Sequence, residues 1–490
     1  MISPASRSLG AELGIDDVIA GRRRLSPHDA LRLHREASLH DLGRWASAVC
    51  ERIHGPDLRT YVIDRNVNYT NVCSAKCTFC AFRRDEGDED AYVLDEQALH
   101  QKLRELVDIG GTQVLLQGGM HPGLGLEFYL EMLRGMKRAF PDLHVHGFSP
   151  PEFVEFVAVL EMPGFPSTEP KRSHELPREV WLAKLGGILK EMQAAGLDSV
   201  PGGGGEIFAE HVRRRIGLGK ATAAQWLDVM TEAHKLGMVT SATMMFGHIE
   251  GVADRIDHMK QVRDRQDHAI SSDLPGRYVS FIAWPFQREN TPLGRLPDYD
   301  RERGRDNGEP FPGDVLAEQV MNGGVDPWDE AACKRAATEA GGAGRRVRIA
   351  GAIEYLRTQA IARLFLDNVH SIGSSWVTMG PRVGQTALLF GANDMGSVMM
   401  EENVVSAAGT TYCLTEPVLC HLIRDAGFTP AQRANDYEII KTHSGPGSPD
   451  LRVDDWTTQR AASLHRQAPA NAAPINVTVD GRAAAEAALR

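Results

Sequence analysis

Eight short apolar runs alternate with helix-like segments between residues 60 and 400, and no other feature of the chain limits its fold as tightly. The runs are TYVIDRNV, TQVLLQG, LHVHGF, LDSVPG, VTSATMMF, YVSFIAWPF, VHSIGSSWV and GSVMM. Between them, QALHQKLRELVDIG, FYLEMLRGMKRAF, AAQWLDVMTEAHKLG and EYLRTQAIARLFLDN carry apolar residues at helical spacing. Three of these segments end in Gly or Asn, as helices do. Strands separated by helices pair in parallel, and eight such units predict an α/β fold, a closed TIM-like (β/α)8 barrel. Chemistry in that fold lies at the carboxyl ends of the strands. QGG at 117–119, FSPPE at 148–152, PGGGGE at 201–206 and GHIE at 247–250 fall there.

Around this core, residues 1–58 read as an N-terminal helical segment, with a helix start at Ser26-Pro27. The barrel occupies 59–444 and is interrupted by Pro-rich or charged insertions at 161–177 and 294–349. The tail at 445–490, rich in Ala, Pro and polar residues, is expected to be poorly ordered. A net charge of −11 argues against sequence-independent nucleic-acid binding, and Arg22-Arg23-Arg24 reads as a solvated run. No run of about 18 apolar residues could cross a bilayer and no signal peptide opens the chain, so a cytoplasmic protein without membrane partners is expected. Seven cysteines, an odd count, fit no disulfide framework, which makes the sequons at Asn68 and Asn476 chance matches.

Three of those cysteines stand together: NVCSAKCTFCAF places Cys73, Cys77 and Cys80 directly after the first strand-like run. Three thiolates can hold three irons of a [4Fe–4S] cluster and leave the fourth iron open to an exogenous ligand. S-adenosylmethionine suits that place, because its amino and carboxylate groups chelate an iron. The competing reading is a zinc site completed by a distant His, although structural zinc sites favour paired Cys-x2-Cys units. Cys50, Cys333, Cys413 and Cys420 are isolated and read as core or surface thiols.

The cysteine spacing, with Phe79 just before the last cysteine, resembles the radical S-adenosylmethionine superfamily. The stretches YVIDRNVNYTNVC, GGTQVLLQGGMHP, HVHGFSPPE, GLDSVPGGGGEI, TSATMMFGHIE, FIAWPFQRENTPL, SSWVTMGPRVGQ, GANDMGSVMMEENVV and AAGTTYC together resemble the cyclic dehypoxanthinyl futalosine synthase family of menaquinone biosynthesis. Sister families are aminofutalosine synthase and deazaflavin (FO) synthase, which share the barrel and cluster motif. The resemblance implies a radical SAM oxidoreductase with a [4Fe–4S] cluster and S-adenosylmethionine as cofactors. It also implies a one-electron donor such as flavodoxin or ferredoxin, and a small-molecule substrate.

In the implied reaction a 5′-deoxyadenosyl radical takes hydrogen from the ribose C4′ of dehypoxanthine futalosine. The carbon radical adds to the benzoate ring, and one electron and one proton are then lost. Carried over to this sequence, Cys73, Cys77 and Cys80 hold the cluster, while Phe79, Gln117, Gly118, Gly119, Ser149 and Glu206 serve S-adenosylmethionine. Gln117-Gly118-Gly119 departs from the usual Gly-Gly-Glu and also reads as a plain tight turn. Glu206 also reads as a carboxylate placed at a helix N-terminus. His248 is the candidate proton acceptor, against a structural histidine. Arg288 or Arg382 is the candidate partner for the benzoate carboxylate. Of Arg213, Arg214 and Arg215, at most one can face inward.

Overall fold

A computed structural model describes residues 4–165, 176–217, 221–299, 326, 328–339, 344–410, 412–444 and 449. The strands are β1 (Leu58–Val62), β2 (Asp64–Asn68), β3 (Gln113–Gln117), β4 (His144–Gly147), β5 (Thr240–Phe246), β6 (Tyr278–Pro285), β7 (Ser371–Gly373), β8 (Asp394–Ser397), β9 (Thr429–Arg433) and β10 (Ile439–Thr442). They form two sheets, β2-β3-β4 and β10-β9-β1-β8-β7-β6-β5, parallel throughout except for the β9–β10 pair.

The two sheets are joined at two places. β1 and β2 are consecutive parts of one stretch through Ile63, whose carbonyl accepts from Thr112 N at 3.2 Å. On the far side, bridges His146↔Ser199 and Val200↔Thr240 link β4 to β5 through the fourth predicted run. That run contributes single bridges rather than a full strand, because Pro201 lacks an N–H and four glycines follow it. Parallel pairing can thus be traced through all eight predicted runs, and the fold is α/β with parallel strands.

Two further runs differ in detail. Trp376–Met379, at the end of the seventh, is helical, and the eighth strand starts two residues before GSVMM, at Asp394. The hairpin β9–β10 was not foreseen: TPAQR has little apolar character, and β10 is exposed along its length. β9 pairs in parallel with Leu58–Tyr61 of β1, and in the segment after it Asn435 Nδ2 donates to Ser199 Oγ at 3.1 Å.

Helices pack outside. Ser26 and Asp29 form a capping box at the start of Pro27–Glu36. The helix Leu39–His54 lies against Ala352–Phe365. Of the predicted insertions, 166–175, 300–325, 327 and 340–343 lie outside the described residues, as does the tail apart from Pro449. The described helix Glu330–Glu339 packs on Glu210–Ile216. Among the described residues, no helix is long and apolar enough to cross a membrane.

Candidate active site

β2 delivers the chain to the cysteine loop, which is pinned by backbone bonds to three separate elements. Ser74 N donates to Met120 O at 2.9 Å, Thr78 N to Ile216 O at 2.9 Å, and Leu293 N donates to Thr78 O at 2.8 Å. Within the loop, Cys73 N donates to Arg84 O at 3.1 Å and Cys80 N to Cys77 O at 3.3 Å. Arg83 Nε also donates to Cys73 O, at 3.1 Å. All three thiols are half-buried, and Phe79 packs against the core beside them. Among the described residues, no three His, Cys, Asp or Glu side chains converge as the ligands of one ion do. A four-iron cluster takes each thiolate on a different iron, whereas zinc–sulfur bonds of about 2.3 Å draw ligands onto one point.

The Gln117-Gly118-Gly119 turn is laid directly on this loop. A Cβ on Gly119 would lie 2.0 Å from Val72 O and 2.9 Å from Cys73 Cβ, and one on Gly118 would lie 2.4 Å from the Tyr69 ring. Only glycine permits such approach. The turn is held by Glu152, which is 1% exposed. Glu152 Oε1 accepts from Gly118 N at 3.0 Å and Tyr69 Oη at 2.8 Å. Oε2 accepts from Ser149 N and Ser149 Oγ, both at 2.7 Å. Burial raises the Glu152 carboxyl to about 7, against the pull of those donors. Sequence reading marked FSPPE but gave Glu152 no role; its signal was the Ser-x-x-Glu spacing of a capping box, here extended to a neighbouring turn.

The glycine loop completes this side. A Cβ on Gly203 would lie 2.5 Å from Gln117 Nε2 and 3.1 Å from Ser149 Cβ, so two predicted cofactor positions meet at the glycine loop. Arg213 is the inward member of its triplet, 4% exposed, and donates to Gly204 O at 2.9 Å and Gly205 O at 2.8 Å. Glu206, at φ +38° and 4% exposed, places Oε2 3.9 Å from Arg213 Nη1.

Inside the strands lies a cavity of about 350 Å3. Its walls include Asp64, Asn66, Gln113 and Gln117 on one side and Ile282, Trp284, Val377 and Met399 on the other. Arg433, Asn435 and Tyr437 from the unforeseen hairpin form part of the lining. Arg433 is bidentate to Asp394, at 2.6 and 3.0 Å, and stacks on Tyr437 at 4.0 Å.

Three sequence candidates lie elsewhere. His248 is fully buried and does not line the cavity: Nε2 is 3.1 Å from Met245 O and Nδ1 is 3.1 Å from Glu250 Oε2. Glu250 also accepts from the N–H groups of Gly247 and His248, so the GHIE turn closes on itself. Arg288 spends its guanidinium on Gly294 O, Leu296 O and Asp298 and holds its own loop. Arg382 is exposed on Pro381–Ala387, outside the cavity. Position after a strand could not reveal the outcome for His248 and Arg288, because their turns bend each side chain back into local bonds.

The Radical SAM superfamily profile matches residues 67–262, from β2 through the cysteine loop to the helix after β5. A second profile, the CofH/MqnC C-terminal region, matches 342–445. A cyclic dehypoxanthine futalosine synthase of Halalkalibacterium halodurans is 37% identical over 88% of this chain and 95% of that one. The chain belongs to the radical SAM superfamily. A second cyclic dehypoxanthine futalosine synthase, from Streptomyces coelicolor, is 35% identical over 89% of this chain and 90% of that one. An aminodeoxyfutalosine synthase of Thermus thermophilus is 32% identical over 87% and 95%. Among solved structures, methylornithine synthase matches with a TM-score of 0.53 at 15% identity, covering 85% of this chain and 97% of that one. The hydrogenase maturase HydG of Carboxydothermus hydrogenoformans matches at 0.55 and 13% identity, over 95% and 88%. These two establish likeness of fold. As a radical SAM enzyme the chain uses a [4Fe–4S] cluster and S-adenosylmethionine, and acts on a small molecule.

Proposed function

We propose that this radical SAM enzyme converts dehypoxanthine futalosine to cyclic dehypoxanthinyl futalosine. The observation that carries the reading is end-to-end similarity to two enzymes of that name, across both the cluster half and the C-terminal region. When bound, cluster and S-adenosylmethionine supply a 5′-deoxyadenosyl radical that takes one hydrogen atom from the substrate.

Cys73, Cys77 and Cys80 hold the cluster on a loop whose backbone is fixed on three sides. Backbone groups of Gln117-Gly118-Gly119, kept in place by Glu152, meet the methionine end of the cofactor. Ser149 and Gly203 flank the next part of it, with Glu206 behind the glycine loop. Phe79, packed against the core beside the thiols, would shield the cluster held there. The cavity walls then hold the substrate away from water so that the two bonding carbons meet within reach. Since His248 and Arg288 stand off the cavity, each acts in this reading by shaping its own loop, and the exposed Arg382 takes no part in holding substrate. The enzyme works in the cytoplasm, with electrons from a flavodoxin or ferredoxin.

Product analysis tests the assignment. Anaerobically loaded protein given a strong one-electron reductant and dehypoxanthine futalosine should release cyclic product. If it instead turned over only the substrates of aminofutalosine synthase or deazaflavin synthase, the assignment would pass to that sister activity.

A further inference from the structure

Asn66 on β2 and Gln113 on β3 line the cavity from neighbouring strands and are 4% and 5% exposed. A carboxylate orients each amide: Asn66 Nδ2 donates to Glu402 Oε2 at 2.8 Å, and Gln113 Nε2 donates to Asp64 Oδ2 at 2.8 Å. Both carboxylates are ringed by other donors. Glu402 Oε1 accepts from Val404 N at 2.7 Å and Val405 N at 2.9 Å, and Asp64 Oδ1 accepts from Ser397 Oγ. In their ionised state Glu402 and Asp64 can only accept, which turns the nitrogen end of each amide toward them and fixes the amide orientation.

The consequence is two buried carbonyl oxygens, Asn66 Oδ1 and Gln113 Oε1, that have no protein partner. Leaving such an acceptor unsatisfied is costly. Asn68, the next residue on the same face of β2, shows the alternative: its Nδ2 donates to Gln117 O at 3.2 Å and its Oδ1 accepts from Asn403 Nδ2 at 3.1 Å. Oxygens of Gln261, Gln359 and Asn368 also lack protein partners, but none of those residues lines the cavity. Asp64 pairs with Gln113 in register and Asn66 is one same-face step along. Asn66 and Gln113 are therefore diagonal neighbours on parallel strands, with Cα atoms about 8 Å apart from strand spacing and rise, within reach of two hydroxyls on one sugar. With both carboxylates already served, what remains is a pair of neutral acceptors, suited to neutral hydroxyl donors.

We propose that Asn66 Oδ1 and Gln113 Oε1 form a hydroxyl-recognising subsite that receives the sugar hydroxyls of the substrate. The proposal rests on the substrate reading above. It is tested by calorimetry on the full, cluster-loaded chain, with dehypoxanthine futalosine and analogues lacking one ribose hydroxyl each. On the unaltered protein, loss of a recognised hydroxyl should weaken binding by about ten- to hundredfold, because it strands a buried acceptor. Asn66→Leu and Gln113→Met should each weaken the full substrate similarly, and each should then bind it no better than the matching deoxy analogue. Glu402→Gln, which keeps the side-chain shape but frees the Asn66 amide to turn, should lose part of the same discrimination. Iron content equal to that of the unaltered protein shows that a variant has folded. Deoxy analogues that bind the unaltered protein as tightly as the full substrate would overturn the subsite, as would variants that keep the full difference. If the unaltered protein bound none of these compounds, the functional reading itself would fall, and the subsite with it.

Discussion

The two walls of the cavity are built differently from the same kind of strand. β2 and β3 turn Asp64, Asn66, Gln113 and Gln117 inward, where barrels usually stack branched aliphatic side chains. Elsewhere in the lining, β6 and the segment after β7 present Ile282, Trp284 and Val377, joined by Met399 after β8, with Ser280, Ser375 and Thr378 between them. The polar wall continues into the Gln117-Gly118-Gly119 turn and the cysteine loop, the side on which cofactor and sugar hydroxyls are proposed to bind. The apolar wall offers a flat indole to the aromatic part of a substrate. The proposed subsite puts sugar recognition on the three-stranded sheet and leaves the seven-stranded sheet to face the ring.

The sharpest break would come from the cysteine loop. Cys77→Ala removes one of three thiolates, so iron content and S-adenosylmethionine cleavage should fall to background, while Cys420→Ala should leave both unchanged; iron assay and 5′-deoxyadenosine release measure this. On the opposite wall, Trp284→Ala should weaken substrate binding by about ten- to hundredfold while substrate-free S-adenosylmethionine cleavage persists. Equal loss of both would mean that the walls are not separate. Glu152→Gln keeps its shape but replaces one oxygen by a donor that faces donors. S-adenosylmethionine affinity should drop about tenfold, read by equilibrium binding, with the fold retained. Arg382→Ala, off both walls, should change turnover less than about twofold.

The smallest effect concerns stability behind the site. Burial raises the Asp257 carboxyl to about 7. The folded state then holds that proton more tightly than the unfolded chain, so its contribution to stability falls as pH rises from the ordinary carboxylate range to about 7. Asp257→Asn should flatten this slope, measured by urea midpoints at about pH 5 and about pH 8.

The parallel fold was legible because buried parallel strands are written as apolar runs, and helices betray themselves by period and cap. The cysteine loop was legible because iron ligation demands one residue type at tight spacing. The hairpin β9–β10 was not, since TPAQR and IIKT carry neither a continuous apolar run nor a clear alternation, and Arg433 reveals its place only through Asp394 from another strand. Arg288 and His248 stood at the right ends of strands, yet which way a side chain turns depends on partners such as Gly294 and Glu250. Asn66 and Gln113 were passed over because DRNVNYT and TQVLLQG read as strands, and polarity on an inward face becomes visible only once the cavity is known.

The most direct measurement follows a single atom. Dehypoxanthine futalosine carrying deuterium at the ribose C4′ is incubated anaerobically with the loaded enzyme, and both products are weighed by mass spectrometry. The account predicts one deuterium in 5′-deoxyadenosine for each cyclic product formed. Cyclic product formed with no deuterium in 5′-deoxyadenosine, or labelled 5′-deoxyadenosine with no cyclic product, would contradict it.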